Sequence, residues 1–335
     1  MARICTFLSL LLGVSYSSFL VSVNGNGDCS AKKLHYNFYG NSCPAVESRV
    51  RRIVKEAVRK ETRMAASLLR LHFHDCFVEG CDGSLLLKSI PGVLEGEQEA
   101  APNYMSVRGY DVVDDIKAVL ERECPGIVSC ADILALAARD SVSLTGGPSY
   151  RVLLGRRDSL SANRTLAEHY LPGYDYNTSY LVASFARVGL SPNDMVALSG
   201  AHTIGKAGCD TLSGRIPPSL DDPAALEVLY AKALSEECAA SPNTTLINLD
   251  FASPIVFDNS YYRNLLKNQG VLYSDQVLFS TPGASRDQTI RYAFDQETFF
   301  RDFSVAMVNM GNIAPLTGCE GQIRRHCGYA NPYPS

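Results

Sequence analysis

The densest set of groups able to do chemistry lies between Arg70 and Ser84, where Arg70, His72, His74, Asp75, Cys76, Cys81 and Asp82 follow one another closely. On a helix, Arg70 and His74 are four residues apart and share a face, while His72 points elsewhere. A guanidinium beside an imidazole keeps that imidazole neutral and basic, and it offers fixed positive charge to a developing anion. An isolated pair of this kind is more often a solvated arginine next to a satisfied core histidine; here the neighbouring residues favour chemistry.

Past that helix, Asp75, Val78, Gly80, Asp82 and Ser84 set carboxylate, carbonyl, carbonyl, carboxylate and hydroxyl oxygens in a tight turn, an all-oxygen set suited to Ca²⁺. The spacing is not that of an EF-hand, and polar residues capping a helix would read almost the same way. Cys76 and Cys81 can close this loop as a small ring. A zinc site built from His72, His74, Cys76 and Cys81 is a weaker alternative, because cysteines in an oxidising compartment tend to pair. A second site surrounds His202 in Leu198-Ser-Gly200-Ala-His202-Thr203-Ile-Gly205. Small residues on both sides let a flat, bulky group approach, as an axial imidazole to haem iron requires. A lone histidine is more often structural. Downstream, Asp250, Ser253, Val256 and Asp258 again space oxygens along a turn, and Asp275 offers a carboxylate to the histidine's other nitrogen.

The elements that must position these groups are helical. Val46, Val50, Ile53, Val54 and Ala57 recur at three- and four-residue intervals, as do Met64 to Phe77, Val112 to Leu120 and Phe299 to Met310. Ser129-Cys-Ala-Asp132 and Ser191-Pro-Asn-Asp194 read as capping boxes with Asp in place of Glu. Strand signals are brief, as at Arg151 to Leu154. The pattern predicts a mostly helical, all-α protein. Glycine, proline and polar residues thicken at 145 to 179, which reads as a seam, about 146–179, between helical lobes of about 28–145 and 180–328 that close on a ligand.

The chain has 335 residues, is 46% hydrophobic and 20% charged, and carries a net charge of −4, which excludes disorder. Its start, with Arg3 ahead of an apolar run from Ile4 to Val14, predicts a secretory signal over 1–25. Removing it takes Arg3 and Cys5, leaving 30 basic against 35 acidic residues and ten of the 11 cysteines. An even cysteine count after a signal predicts disulfides. Mild acidity without a basic stripe argues against a nucleic-acid partner, and no later apolar stretch is long enough to span a membrane. The sequons at Asn163, Asn177 and Asn243 are consistent with glycosylation and secretion.

From about Leu34 to Cys327 the chain resembles the secretory plant peroxidases, the haem-containing class III family. The resemblance rests on motifs in order: Phe38-Tyr39 with Cys43-Pro44, Ala65 to Cys76, Val128-Ser-Cys130-Ala-Asp132, Leu154-Gly-Arg156-Arg157-Asp158, Leu198 to Gly205, Phe257-Asp258-Asn259 with Tyr261-Tyr262, Ser274-Asp275-Gln276, and Met310-Gly-Asn312-Ile. It implies a two-lobed fold with one haem b between distal and proximal lobes. The implied enzyme is a monomer secreted to the apoplast or cell wall. It would reduce hydrogen peroxide to water and oxidise phenolic donors by one-electron steps through a ferryl-porphyrin radical. By the same resemblance His74 is the distal base, Arg70 its charge partner, and Asn103 with Glu97 the relay fixing the tautomer. Phe73 packs above the haem, and the Pro172 carbonyl positions the donor. His202 ligates the iron and Asp275 makes that imidazole more anionic. Two Ca²⁺ ions are implied, a distal one at the turn already described and a proximal one at Thr203, Asp250, Ser253, Val256 and Asp258. The implied disulfides are Cys43–Cys124, Cys76–Cys81, Cys130–Cys327 and Cys209–Cys238. Cys29 and Cys319 fall outside the family pattern, and their even number suggests a fifth pair, with free thiols or an intermolecular link as alternatives.

The chain departs from the family at several positions. It has no tryptophan, and Tyr150 stands where the family usually carries one. Leu249 replaces a phenylalanine beside the proximal histidine, Gly208 lacks a side chain toward a propionate, and Ala101 and Asp175 replace exposed phenylalanines. A structural cell-wall module and a secreted zinc hydrolase are the rival readings, and intact Arg70, His74 and His202 weigh against the first.

Overall fold

A computed structural model describes residues 33–219, 221–239, 241 and 244–332. The signal segment at 1–25, Cys29 and Asn243 lie outside the described residues. Among those described, helices dominate, as the periodicity predicts. In the N-terminal half these are α1 (Val46–Lys60), α2 (Met64–Cys76), α3 (Tyr110–Glu123) and α4 (Cys130–Leu144). The chain continues through α5 (Arg164–Tyr170), α6 (Thr178–Arg187), α7 (Pro192–Ser199), α8 (Val228–Ala239), α9 (Ser260–Leu265), α10 (Tyr273–Ser280), α11 (Ala284–Phe294) and α12 (Gln296–Gly311). No helix among the described residues is long and apolar enough to cross a membrane.

The caps show where local signals hold. At the start of α7, Ser191 and Asp194 form the full reciprocal capping box. At the start of α4, Ser129 accepts the Asp132 N–H, but the return bond is missing. The Asp132 carboxylate instead accepts hydrogen bonds from the Tyr39 hydroxyl (2.7 Å), the Gly155 N–H (2.7 Å) and Arg156 Nη1 (2.7 Å). The buried Arg156 reaches on to the Gly311 carbonyl at the end of α12. This network also explains why the strand expected at Arg151 to Leu154 shrinks to one bridge between Leu154 and His35: the next N–H groups are taken by a side chain. The described strands are β1 (Lys206–Gly208) and β2 (Leu246–Asn248), antiparallel with Lys206 opposite Asn248.

Helix α2 separates two cores. Leu68 and Leu71 face a core shared with α1, α3 and α4, while Ala65, Leu69 and Cys76 join a second core with α6, α7 and α9 to α12. Each fully buried leucine of this kind contributes about 1.5–3 kcal/mol. The segment after α12 returns to the N-terminal half: the Cys81 N–H donates to the Ile313 carbonyl, Arg324 Nη1 donates to the Gly83 carbonyl (2.9 Å), and Cys130 pairs with Cys327. The other three implied pairs, Cys43–Cys124, Cys76–Cys81 and Cys209–Cys238, are also present. Cys319 is disulfide-bonded as well.

His72, on the opposite side of α2 from Arg70, is buried against Cys76. Burial, reinforced by the Arg156 charge, lowers its pKa to about 3. An unfolded histidine binds its proton near pH 6.5, so between that value and about 3 the unfolded chain holds a proton the folded chain refuses. Stability is therefore lost as pH falls through this window, on the order of 2–3 kcal/mol by about pH 4.5. In denaturant unfolding at a series of pH values, His72→Leu should lose correspondingly less stability between neutrality and pH ~4.5 than the parent; parallel profiles would contradict this.

Candidate active site

The open side of α2 builds the site. Arg63, Ala66, Ser67, Arg70 and Phe73 recur at helical spacing and are only half-buried, although the helix is otherwise enclosed. Within this stripe, Arg70 Nε donates to His74 Nε2 at 3.0 Å. The other arm of the guanidinium donates to the Pro102 carbonyl (3.0 Å) and the Ser106 hydroxyl (3.2 Å). Burial lowers the Arg70 pKa to about 10, which leaves it charged at neutral pH.

Asn103 Oδ1 lies 2.5 Å from His74 Nδ1, so Nδ1 carries the proton and the Nε2 lone pair faces Arg70. Asn103 is held in turn by donating from Nδ2 to the Glu97 backbone carbonyl at 2.8 Å. Glu97 thus acts in this chain of contacts through its main chain, while its carboxylate accepts the Asn163 N–H. Burial and the Arg70 charge push His74 well below the usual histidine range, and the Asn103 contact opposes them. The result is a neutral base with a fixed tautomer. The ring of Phe73 packs edge-on against His74 (centroids 5.2 Å apart) and against Phe77.

His202 lies in a tight turn, Gly200–Thr203, directly after α7. Its Nδ1 is 2.8 Å from Asp275 Oδ1 on α10, and the side chain is 38% exposed while Asp275 is buried. Burial alone would lower the imidazole's pKa, but the charge and hydrogen bond of Asp275 outweigh it and raise it, with Arg70 acting weakly the other way. Tyr261 on α9, a motif residue to which sequence reasoning assigned no task, donates its hydroxyl to the same Asp275 Oδ1 at 2.9 Å. Its neighbour Tyr262 donates to the Val196 carbonyl of α7. Gly205, at φ +101°, brings the backbone beside Ala66 of α2, where an added Cβ would come within 3.0 Å of the Ala66 methyl.

These features meet the demands of a haem. Two imidazoles are available: His202, 38% exposed, has its Nδ1 fixed on a carboxylate so that Nε2 is left as a ligand atom, and the approach of Gly205 to Ala66 brings its turn against the half-buried stripe of α2 that carries Arg70 and ends at His74.

The two oxygen sets expected to hold Ca²⁺ form a distal and a proximal cluster. Asp75 accepts the Gly83 N–H (3.0 Å) and Asp82 accepts the Ser84 N–H (3.0 Å), both carboxylates buried, one on each side of the ring closed by Cys76–Cys81. Burial raises the Asp75 pKa, and repulsion from Asp82 adds to it; burial raises Asp82 as well. The Ser84 hydroxyl and one Glu97 carboxylate oxygen are buried with no hydrogen-bond partner. Gly80 keeps the loop tight at φ +139°, against the Ala314 backbone. In the proximal cluster Thr203 Oγ1 donates to Asp250 (3.0 Å) and Asp258 (3.4 Å), and Ser253 Oγ donates to the same two carboxylates. Asn264, unforeseen from the sequence, braces Asp250 at 2.8 Å. Orphaned oxygens and converging carboxylates are a donor set suited to a hard divalent cation. Val78, Gly80 and Val256 can add only backbone carbonyls.

The zinc alternative fails on this geometry. His72, Cys76 and Cys81 do cluster, but both sulfurs are consumed by their disulfide and His74 is engaged with Arg70 and Asn103. Pro172 sits half-buried in the loop after α5, and its carbonyl accepts no hydrogen bond among the described residues. Ala101 and Asp175 are exposed, Tyr150 is half-buried with an unpartnered hydroxyl, and Leu249 lies beside Gly205.

A family profile for peroxidase matches residues 50–295. The chain belongs to the plant class III peroxidases. It is 48% identical to Peroxidase 49 of Arabidopsis thaliana over 99% of this chain and 100% of that one. It is 51% identical to Peroxidase 70 of Zea mays, covering 90% and 93%. To the Lignin-forming anionic peroxidase of Nicotiana sylvestris it is 47% identical, covering 90% and 92%. As a peroxidase it oxidises donors at the expense of hydrogen peroxide, and the mostly helical fold is the one this family uses.

Proposed function

We propose that this peroxidase carries one haem b on His202 and two Ca²⁺ ions, and that it oxidises small phenolic donors outside the cell. The observation that carries the reading is the pair of differently prepared imidazoles: His202 braced by Asp275, and His74 held as the Nδ1–H tautomer by Asn103 with Arg70 at its Nε2. When bound, haem would supply an iron and a porphyrin able to store the two oxidising equivalents of peroxide and pass them to donors one at a time. His74 Nε2 accepts the proton of the incoming peroxide, exchanging its bond from Arg70 for one from substrate. The same nitrogen returns the proton to the departing oxygen, which leaves as water. Arg70 meets the negative charge that grows as the O–O bond lengthens, and its bonds to Pro102 and Ser106 keep it in place. Asp275 strengthens electron donation from His202. Phe73 closes the slot beside His74, and Pro172 offers a free carbonyl to a phenol.

The distal ion would bind Asp75, Val78, Gly80, Asp82 and Ser84, and the proximal ion Thr203, Asp250, Ser253, Val256 and Asp258. Each ion braces a turn that begins next to a site histidine, since Asp75 follows His74 and Thr203 follows His202. The name of the Nicotiana sylvestris relative, a lignin-forming peroxidase, supports phenolic donors. Four disulfides support an oxidising compartment, and with it the apoplast or cell wall, glycans at Asn163, Asn177 and Asn243, and a fifth pair between Cys29 and Cys319. A monomer of lobes about 28–145 and 180–328 around the haem completes the reading.

Elemental analysis and absorption spectroscopy of the purified protein test this reading: one iron with a Soret band and about two calciums per chain are expected. Chelation should lower the midpoint of thermal unfolding, by roughly 5 °C or more if each ion is held ~100-fold above its Kd. Protein with neither a Soret band nor calcium, or an unchanged midpoint after calcium is stripped, would overturn it. Peptides released without reduction should include Cys29 joined to Cys319.

A further inference from the structure

We propose that Tyr261 is a positioning residue that sets how much anionic character Asp275 confers on His202, and thereby the reduction potential of the iron. The inference rests on His202 as the iron ligand. Both the His202 Nδ1 contact (2.8 Å) and the Tyr261 hydroxyl bond (2.9 Å) end on Oδ1 of Asp275. Two donors on one oxygen compete for the same electron density. A hydrogen bond to a carboxylate stabilises its charge and makes it a weaker acceptor for any other proton. The stronger the phenol's hold, the less Asp275 draws the Nδ1 proton and the less imidazolate-like His202 becomes.

The phenol is suited to that task. It is buried, and burial together with the Asp275 charge pushes its pKa well above the usual range, so its O–H is always present to donate. Its ring stands edge-on to His202 with centroids 6.2 Å apart, so the two groups are fixed relative to one another. Helix α9 sets both sides of the arrangement, with Tyr261 on Asp275 and Tyr262 on the backbone of α7, which leads directly into the turn that carries His202.

The test is a redox titration of the ferric–ferrous couple of the holoenzyme, with resonance Raman detection of the ferrous iron–imidazole stretch. Tyr261→Phe keeps the ring and removes the donor. The potential should fall, with the reduction equilibrium shifted about tenfold, ~59 mV for one electron, and the stretch should rise in frequency. In an Asp275→Ala background, which leaves the Tyr261 hydroxyl no side-chain acceptor at position 275, the same substitution should move neither quantity. An unchanged or higher potential for Tyr261→Phe, or an equal shift in both backgrounds, would overturn the proposal. Trifluorotyrosine placed at position 261 provides a second arm, because it is a stronger donor of nearly the same size. It should raise the potential, and a constant or lower value would also count against the role. Parent enzyme with no iron–imidazole band would sink the ligation by His202 itself, whereas a normal band that Tyr261→Phe leaves unmoved would sink only the role of Tyr261.

Discussion

His74→Ala, loaded with haem to the level of the parent, should react with hydrogen peroxide roughly 10²–10⁴-fold more slowly. The size of the loss follows from what one nitrogen does. Peroxide is a poor ligand while it holds its proton and a poor leaving group without one, so a base that takes the proton and returns it to the other oxygen assists both steps. His74 is prepared for this by burial and the Arg70 charge, which keep it neutral, and by Asn103, which fixes the proton on Nδ1 and turns the lone pair of Nε2 toward the guanidinium. Alanine removes all of this and leaves Arg70 with its anchors on Pro102 and Ser106. Stopped-flow mixing with peroxide measures the effect directly. An Asn103→Val variant should lie between parent and His74→Ala, since it keeps the base and frees its tautomer. A His74→Ala enzyme as fast as the parent would show that the proton travels by another route.

His202→Ala should lose the ferrous iron–imidazole stretch and retain haem poorly through gel filtration. The chain itself should fold, because His202 is more than one-third exposed and contributes little to either core. The Asp275 carboxylate would remain buried with Tyr261 as its donor. Imidazole added to the solution should restore part of the haem binding, since the removed ring leaves a space of its own shape beside Asp275. Retention of haem and of the band at parental levels would assign the ligand to another residue.

Much of the site was legible because it lies on short, local patterns. The three- and four-residue recurrence from Met64 to Phe77 is α2, and the same spacing that puts Arg70 and His74 on one face also opens the stripe at Arg63, Ala66, Ser67 and Phe73. The odd-offset oxygens after Asp75 were legible for the same reason. What lay beyond reach of local pattern was the long-range pairing. No spacing rule ties Asp275 to His202, 73 residues away: the residues offered it only as a candidate partner, and the family resemblance gave it the role. The same holds for the disulfides. Asp132 looked like a helix cap, and its carboxylate turned inward because Tyr39, Gly155 and Arg156 present three donors from elsewhere in the chain. The β1–β2 ladder was missed because three-residue strands carry too few side chains to show an alternation. Tyr261 was visible as a motif residue, but its function depends on which oxygen it reaches, and only coordinates show that.

The most direct test of the account is a crystal structure of the holoenzyme with anomalous data collected at the iron edge. A single strong peak is expected beside Nε2 of His202, with His74 and Arg70 on the opposite face of the haem. A peak ligated by any other side chain, or an iron with His202 and His74 on the same side, would contradict it.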